Sequence, residues 1–234
     1  MKTGLSDEEI TALVSSKPDS LSVEEILYAA TLTQDLNTKL DIYKKAETKY
    51  GSDWRTSNNV GYIYLMQNKL NDAETELKKA DAASAGNPII KNNLGIVARW
   101  KGDRKAAMEL YKSATAAGSE VSYNMGIIEI QNGNYAAAVA DFGTNNTFNS
   151  ALAKLLNGNT DGAMSTIDNS GTEKDAALSF YLKAIAGARQ GKADVLTNNL
   201  KAAIQKDASF KQMAKDDAEF IKFRTNAEFT GLVN

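Results

Sequence analysis

The sequence predicts an all-α fold of stacked helical hairpins, and three observations carry that expectation. Asn58-Asn59-Val60-Gly61 recurs 34 residues later as Asn92-Asn93-Leu94-Gly95 and, more loosely, as Tyr123-Asn124-Met125-Gly126 after a further 31. The downstream positions move in step: Ala73, Leu77 and Ala80 of one unit become Ala107, Tyr111 and Ala114 of the next. Only two prolines, Pro18 and Pro88, interrupt a chain rich in good helix formers, so helices meet almost no covalent obstacle. A fixed period of this length marks a repeat array in which each unit buries its apolar face against its neighbours.

Residues 1–20 read as a polar leader, because MKTGLSDEEI contains no apolar stretch of signal-peptide length. Extending the register upstream puts Leu27, Tyr43 and Ala46 at repeat positions, so Leu21 to Asp53 reads as a divergent first repeat. Fuller units follow, their first helices starting at Trp54, Pro88 and Ser119. Each hairpin turns at a residue suited to left-handed backbone: Asn68, Gly102, Gly133, Gly158 and Gly191. The spacing of these tips shortens at about 143–170, where one helix ends at Gly143 and a short pair follows, Phe148 to Leu156 and Asp161 to Ile167. Ala176 to Gln190 and Lys192 to Lys206 restore a regular unit, with Leu200 and Ala203 in packing register, so the repeats occupy residues 21–210. Residues 211–234 form the cap and tail: Phe210 to Arg224 reads as one amphipathic helix, and Phe220, Phe223, Phe229 and Leu232 either dock on the last pair or form an exposed aromatic stripe for a partner. Within a hairpin, Gly61 and Gly95 let the two helices approach closely, and Ala73 and Ala107 do so from the other side.

Val60, Gly61, Tyr64, Ala73 and Leu77, with Ala138 and Phe142 in the third unit, form a pattern that resembles the tetratricopeptide repeat. The family's early Trp position holds Ser57, Lys91 and Ser122 here. The resemblance implies a right-handed superhelical solenoid of about five antiparallel helix pairs with a C-terminal capping helix. It also implies a concave groove, lined by the first helix of each pair, that holds a protein or peptide.

At 100° per residue each first helix divides into a packing side, which carries the glycines and apolar residues, and an opposite side that in the family lines the groove. The groove side gives Arg55, Asn58, Asn59, Tyr62 and Met66, then Ile89, Asn92, Asn93, Ile96, Arg99 and Trp100, then Tyr123, Asn124, Ile127 and Gln131. Asn59, Asn93 and Asn124 are equivalent in three successive units; similar proteins use such amides to hold a ligand's backbone, and an amide both donates and accepts. The same asparagines equally suit a bond to the neighbouring helix. Tyr62 and Trp100 are either large contact surfaces in the groove or buried between units. A clamp for a terminal carboxylate needs basic residues where Ile89 and Asn93 stand, and none is expected.

Composition narrows the function. With 27 basic and 29 acidic residues the net charge is −2, so no global field favours nucleic acid. Neither cysteine nor histidine occurs, which removes thiolate and imidazole chemistry and the commonest transition-metal ligands; no cofactor or metal is expected. Catalysis would then rest on paired carboxylates, and the adjacent Asp216 and Asp217 do not face each other on a helix, so the chain reads as no enzyme. No window approaches the roughly 20 apolar residues that span a bilayer. Asp217-Ala218-Glu219-Phe220 and Ala227-Glu228-Phe229 near Leu232 resemble the tails of bacterial cell-envelope tetratricopeptide proteins, which implies the periplasm, with the cytoplasm as alternative. The main expectation is a scaffold for a protein or peptide partner; the alternative is a passive spacer or assembly module of a larger envelope protein.

Overall fold

The structure, a computed structural model, describes residues 4–234, and among them fifteen α-helices and no strand occur. The chain divides into two compact units, Met1–Asn124 and Met125–Asn234. Residues 1–3 of the expected leader lie outside the described residues.

The first unit opens with helix α1, Asp7–Ser16, whose start is fixed by a reciprocal capping box between Ser6 and Glu9. Ile10 and Val14 of α1 are buried with Leu21, Ile26, Ile42 and Ala46. The segment expected as a polar leader is therefore a core helix from Asp7 onward: its few apolar residues share one face, and its acidic residues cluster in the first turn, where the helix dipole favours them.

Pairs follow in order: α2 (Val23–Ala29) with α3 (Leu36–Lys49), α4 (Trp54–Met66) with α5 (Leu70–Ala83), and α6 (Pro88–Trp100) with α7 (Arg104–Lys112). Helix α8 (Ser119–Gln131) begins in this unit. Asp53, Asn87 and Asp103 cap α4, α6 and α7 with side-chain oxygens, satisfying N–H groups that a helix start leaves open. The repeat period is thus written into the polar punctuation as well as the apolar pattern. Inside each pair the glycine is met by the large residue of the second helix: a Cβ on Gly61 would lie 2.8 Å from Leu77 Cγ, and one on Gly95 only 2.4 Å from Tyr111 Cε1. All five expected hairpin tips adopt left-handed backbone, with φ of 58° at Asn68 and 91°, 79°, 85° and 72° at Gly102, Gly133, Gly158 and Gly191.

In the second unit α9 (Tyr135–Phe142) stops at Gly143, and the short helices α10 (Phe148–Leu156) and α11 (Thr160–Asp168) follow, then α12 (Ala177–Arg189) and α13 (Ala193–Lys206). Arg189 Nη1 donates to the Leu155 carbonyl at 2.8 Å and ties α12 to α10. The cap departs from the sequence expectation. In place of one helix over Phe210 to Arg224 there are α14 (Ser209–Asp216), a 3-10 segment Ala218–Phe223 and α15 (Ala227–Val233). Asp217 causes the break: its carboxylate accepts from Glu219 N at 2.9 Å and from Tyr181 Oη at 2.8 Å, so its backbone leaves the helix to begin a new turn. The turn swings Phe220 and Phe229 into the core beside Tyr181.

Candidate functional site

The side chains expected in a groove come from the first helices of successive pairs, and the first unit holds all of them except Ile127 and Gln131, half-buried and exposed respectively in the second unit, as part of α8. Within the first unit the asparagines form a ladder. Asn93 Nδ2 of α6 donates to Asn58 Oδ1 of α4 at 2.9 Å, and Asn124 Nδ2 of α8 donates to Asn92 Oδ1 of α6 at 3.0 Å. Asn58 Nδ2 in turn donates to Asn59 Oδ1 at 3.3 Å. Asn58, Asn92 and Asn93 are buried, whereas Asn59 and Asn124 are half-buried. Each step consumes one donor and one acceptor, leaving Asn93 Oδ1 and Asn92 Nδ2 outside the ladder.

The ladder fixes the register of α6 on α4 through a buried amide pair, and loss of one partner would leave the other unsatisfied. Asn93→Ala is expected to destabilise the first unit by about 1–3 kcal/mol, measured as a lower urea midpoint with unchanged slope; an unchanged midpoint would show that water replaces the amide at no cost.

Arg55 is likewise engaged. Its guanidinium meets Asp53 at 2.5 Å and Glu24 of α2 at 3.0 Å, and these carboxylates hold its pKa above the usual value, Asp53 first. Arg99 is half-buried and its Nε finds no hydrogen-bond partner. Tyr123 is half-buried. What remains open is apolar: Tyr62 and Trp100 are 45% and 44% exposed, and Met66 and Ile89 are exposed as well, with Ile96 half-buried between them in the register. Tyr62 and Met66, and Ile96 and Trp100, are four residues apart on α4 and α6, so each pair shares a helix face. Because the ladder runs from Asn58 to Asn93 one turn earlier, the two faces lie side by side.

Sequence reasoning missed a pair of converging carboxylates. Glu47 of α3 and Glu76 of α5 meet beside Lys79, whose Nζ lies 2.5 Å from Glu47 Oε1 and 4.0 Å from Glu76 Oε2. Ser57 Oγ donates to the same Glu47 oxygen at 2.9 Å. The residues stand 29 apart and come from helices whose apolar faces dominate the pattern, so nothing periodic announces them. Among the described residues no group of three or more acidic side chains could hold a metal ion, and no helix is long and apolar enough to cross a membrane.

No family model and no curated protein matches this sequence, but solved structures do. The Cut9–Hcn1 hetero-tetramer of the APC/C superposes with a TM-score of 0.73 at 11% identity, over 96% of this chain and 45% of that one, so the chain spans less than half of that relative. PilW, a type IV pilus biogenesis factor, gives 0.65 at 14% identity over 97% of this chain and 98% of its own. A tetratricopeptide repeat protein from Parabacteroides merdae gives 0.62 at 14% identity, covering 89% and 90%. The fold is that of tetratricopeptide-repeat proteins, an all-α solenoid of helix pairs.

Proposed function

We propose that the chain is a non-catalytic scaffold whose first unit holds an extended polypeptide against Tyr62, Met66, Ile96 and Trp100. The observation that carries this reading is the side-by-side apolar face on α4 and α6, where two large aromatics stay 45% and 44% exposed and Met66 and Ile89 are exposed with them. Exposed aromatics on neighbouring helices supply contact area at small entropic cost, as interface anchors do. The fold supports a protein or peptide partner in general terms. The amides supplement the anchors only through the groups that the ladder leaves over, Asn93 Oδ1 and Asn92 Nδ2, with half-buried Asn59 and Asn124 at the edge. The paired carboxylates are engaged within the chain, Glu47 Oε1 accepting from both Lys79 and Ser57.

The test is selection of a displayed library of random dodecapeptides on the full chain. Wild type is expected to enrich apolar-containing peptides, and Tyr62→Ala combined with Trp100→Ala to weaken the winners by about tenfold or more, with helicity retained because both side chains are exposed. Equal binding by the double variant would exclude this face.

A second reading, a spacer or assembly module in the bacterial cell envelope, is favoured by two observations. The polar groups expected in the groove are largely spent within the chain, on the ladder and on the Arg55 ion pairs. The likeness to a pilus biogenesis factor spans nearly the whole of both chains. A spacer predicts no peptide enrichment at all, and fractionation of cells carrying the full-length protein would place it inside or outside the periplasm.

A further inference from the structure

The cluster of Glu47, Glu76 and Lys79 stands where the first hairpin, α2 and α3, packs on the second, α4 and α5. Glu47 belongs to α3, Ser57 to α4, and Glu76 and Lys79 to α5, so three helices contribute to one polar knot in the seam. The Glu47 and Glu76 side chains are only 14% and 22% exposed. Glu76 Oε2 is buried with no hydrogen-bond partner. Two carboxylates face one ammonium, so full ionisation leaves an unmatched negative charge where water screens it poorly.

The surroundings supply little relief. Lys44 of α3 lies 5.4 Å from the centre of the Tyr64 ring of α4, at longer range from Glu76. Lys91 of α6 and Lys101 just past its end pair with Asp81 and Glu74. Lys79 itself is shared, at hydrogen-bond distance from Glu47 and at 4.0 Å from Glu76.

We propose that this knot is a proton-controlled joint: a proton on Glu76 holds the first hairpin against the second, and losing it loosens the seam. Burial first, and then the neighbouring Glu47 carboxylate, push Glu76 up to about 7 from an ordinary 4.5. Burial would also raise Glu47, but hydrogen bonds from Lys79, Glu76 and Ser57 outweigh it and leave Glu47 below the usual value. The two carboxyls therefore titrate as a coupled pair, Glu47 giving up its proton first.

The signs are opposite. Stability contributed by protonated Glu76 is complete below the ordinary carboxyl value and is lost as pH rises through about 7. Stability contributed by ionised Glu47 is present above its ordinary value and is lost as pH falls through its lowered one. The seam is thus tightest in mildly acidic solution and loosens across neutrality, a range in which few side chains other than histidine titrate, and the chain has no histidine.

The experiment is a carbon-detected carboxyl titration of the full chain, with amide hydrogen exchange of α3 and α5 at pH 5.5 and 8, corrected for the intrinsic pH dependence of exchange. The expected results are a Glu76 midpoint near 7 and about a tenfold rise in the opening equilibrium of the first hairpin between those pH values, after discounting for partial exposure. Glu76→Gln should abolish the rise, and the control Glu74→Gln should keep it. If Glu76→Gln does not fold, the wild-type titration decides alone: a Glu76 midpoint below 5, or pH-independent opening, overturns the proposal.

Discussion

Gly95→Leu is expected to lower the stability of the first unit by about 3 kcal/mol, which for a chain of this size is roughly 6–12 °C in melting temperature. The close approach of α6 and α7 depends on the missing side chain. Even a Cβ at residue 95 would lie 2.4 Å from Tyr111 Cε1 and 2.7 Å from Cδ1. The Tyr111 ring is fully buried, so it cannot swing into solvent to make room, and the helices must part or the ring must leave its rotamer. Parting them exposes Tyr111 and disturbs the Asn93 end of the ladder on the other side of α6. Gly102 supplies the contrast at the tip of the same hairpin. A Cβ there meets nothing within 4 Å, but the backbone has a φ of 91°, so Gly102→Ala should cost only the left-handed penalty of about 1–2 kcal/mol. Thermal melts followed by circular dichroism compare the two; equal losses would mean that helix contact at Gly95 is not what the glycine provides.

Much of the fold was legible because the repeat writes each landmark more than once. Trp54, Pro88 and Ser119 start helices where the repeat register, 34 residues and then 31, puts them, and each tip has the backbone that its Asn or Gly suggested. The legible features are those that backbone geometry and apolar periodicity dictate. The misses occur where a polar side chain chooses between partners. Asp217 ends α14 because its carboxylate binds Tyr181 and Glu219 N, and Tyr181 lies 36 residues upstream, out of reach of any local pattern. Helix α1 was misjudged because two buried residues among acidic and hydroxyl side chains make a weak signal, although Ser6 and Glu9 form a capping box in plain view. At the candidate site, the helical wheel placed Asn58, Asn59, Asn92 and Asn93 on one side of their helices but could not say whether the amides turn toward a ligand or the next helix. The ladder sends Asn93 and Asn124 to the preceding repeat. Tyr62 and Trp100, by contrast, for which the sequence left burial between units open, are exposed.

Phe220→Ala is expected to cost about 3–5 kcal/mol and to act on the second unit alone. Phe220 is fully buried, in edge contact with Tyr181 at 5.6 Å between ring centres and tilted against Phe229 at 5.6 Å; Tyr181 in turn is tilted against Phe210 at 4.9 Å. The four rings tie α12, α14, the 3-10 segment and α15 together, so truncating the central one opens a cavity and also removes ring-to-ring terms of about 0.5–1.5 kcal/mol each. The Tyr181 hydroxyl loses support as well: burial first, and then its bond to Asp217, hold its pKa above the ordinary value, and both depend on the turn that Phe220 anchors. The adjacent Ile221 is 61% exposed, and Ile221→Ala should stay within about 0.5 kcal/mol. Limited proteolysis separates the cases: cleavage in residues 209–226 should accelerate sharply in Phe220→Ala and hardly at all in Ile221→Ala. Similar rates in both would mean that the cap is held by its backbone hydrogen bonds, with the aromatic cluster a passenger.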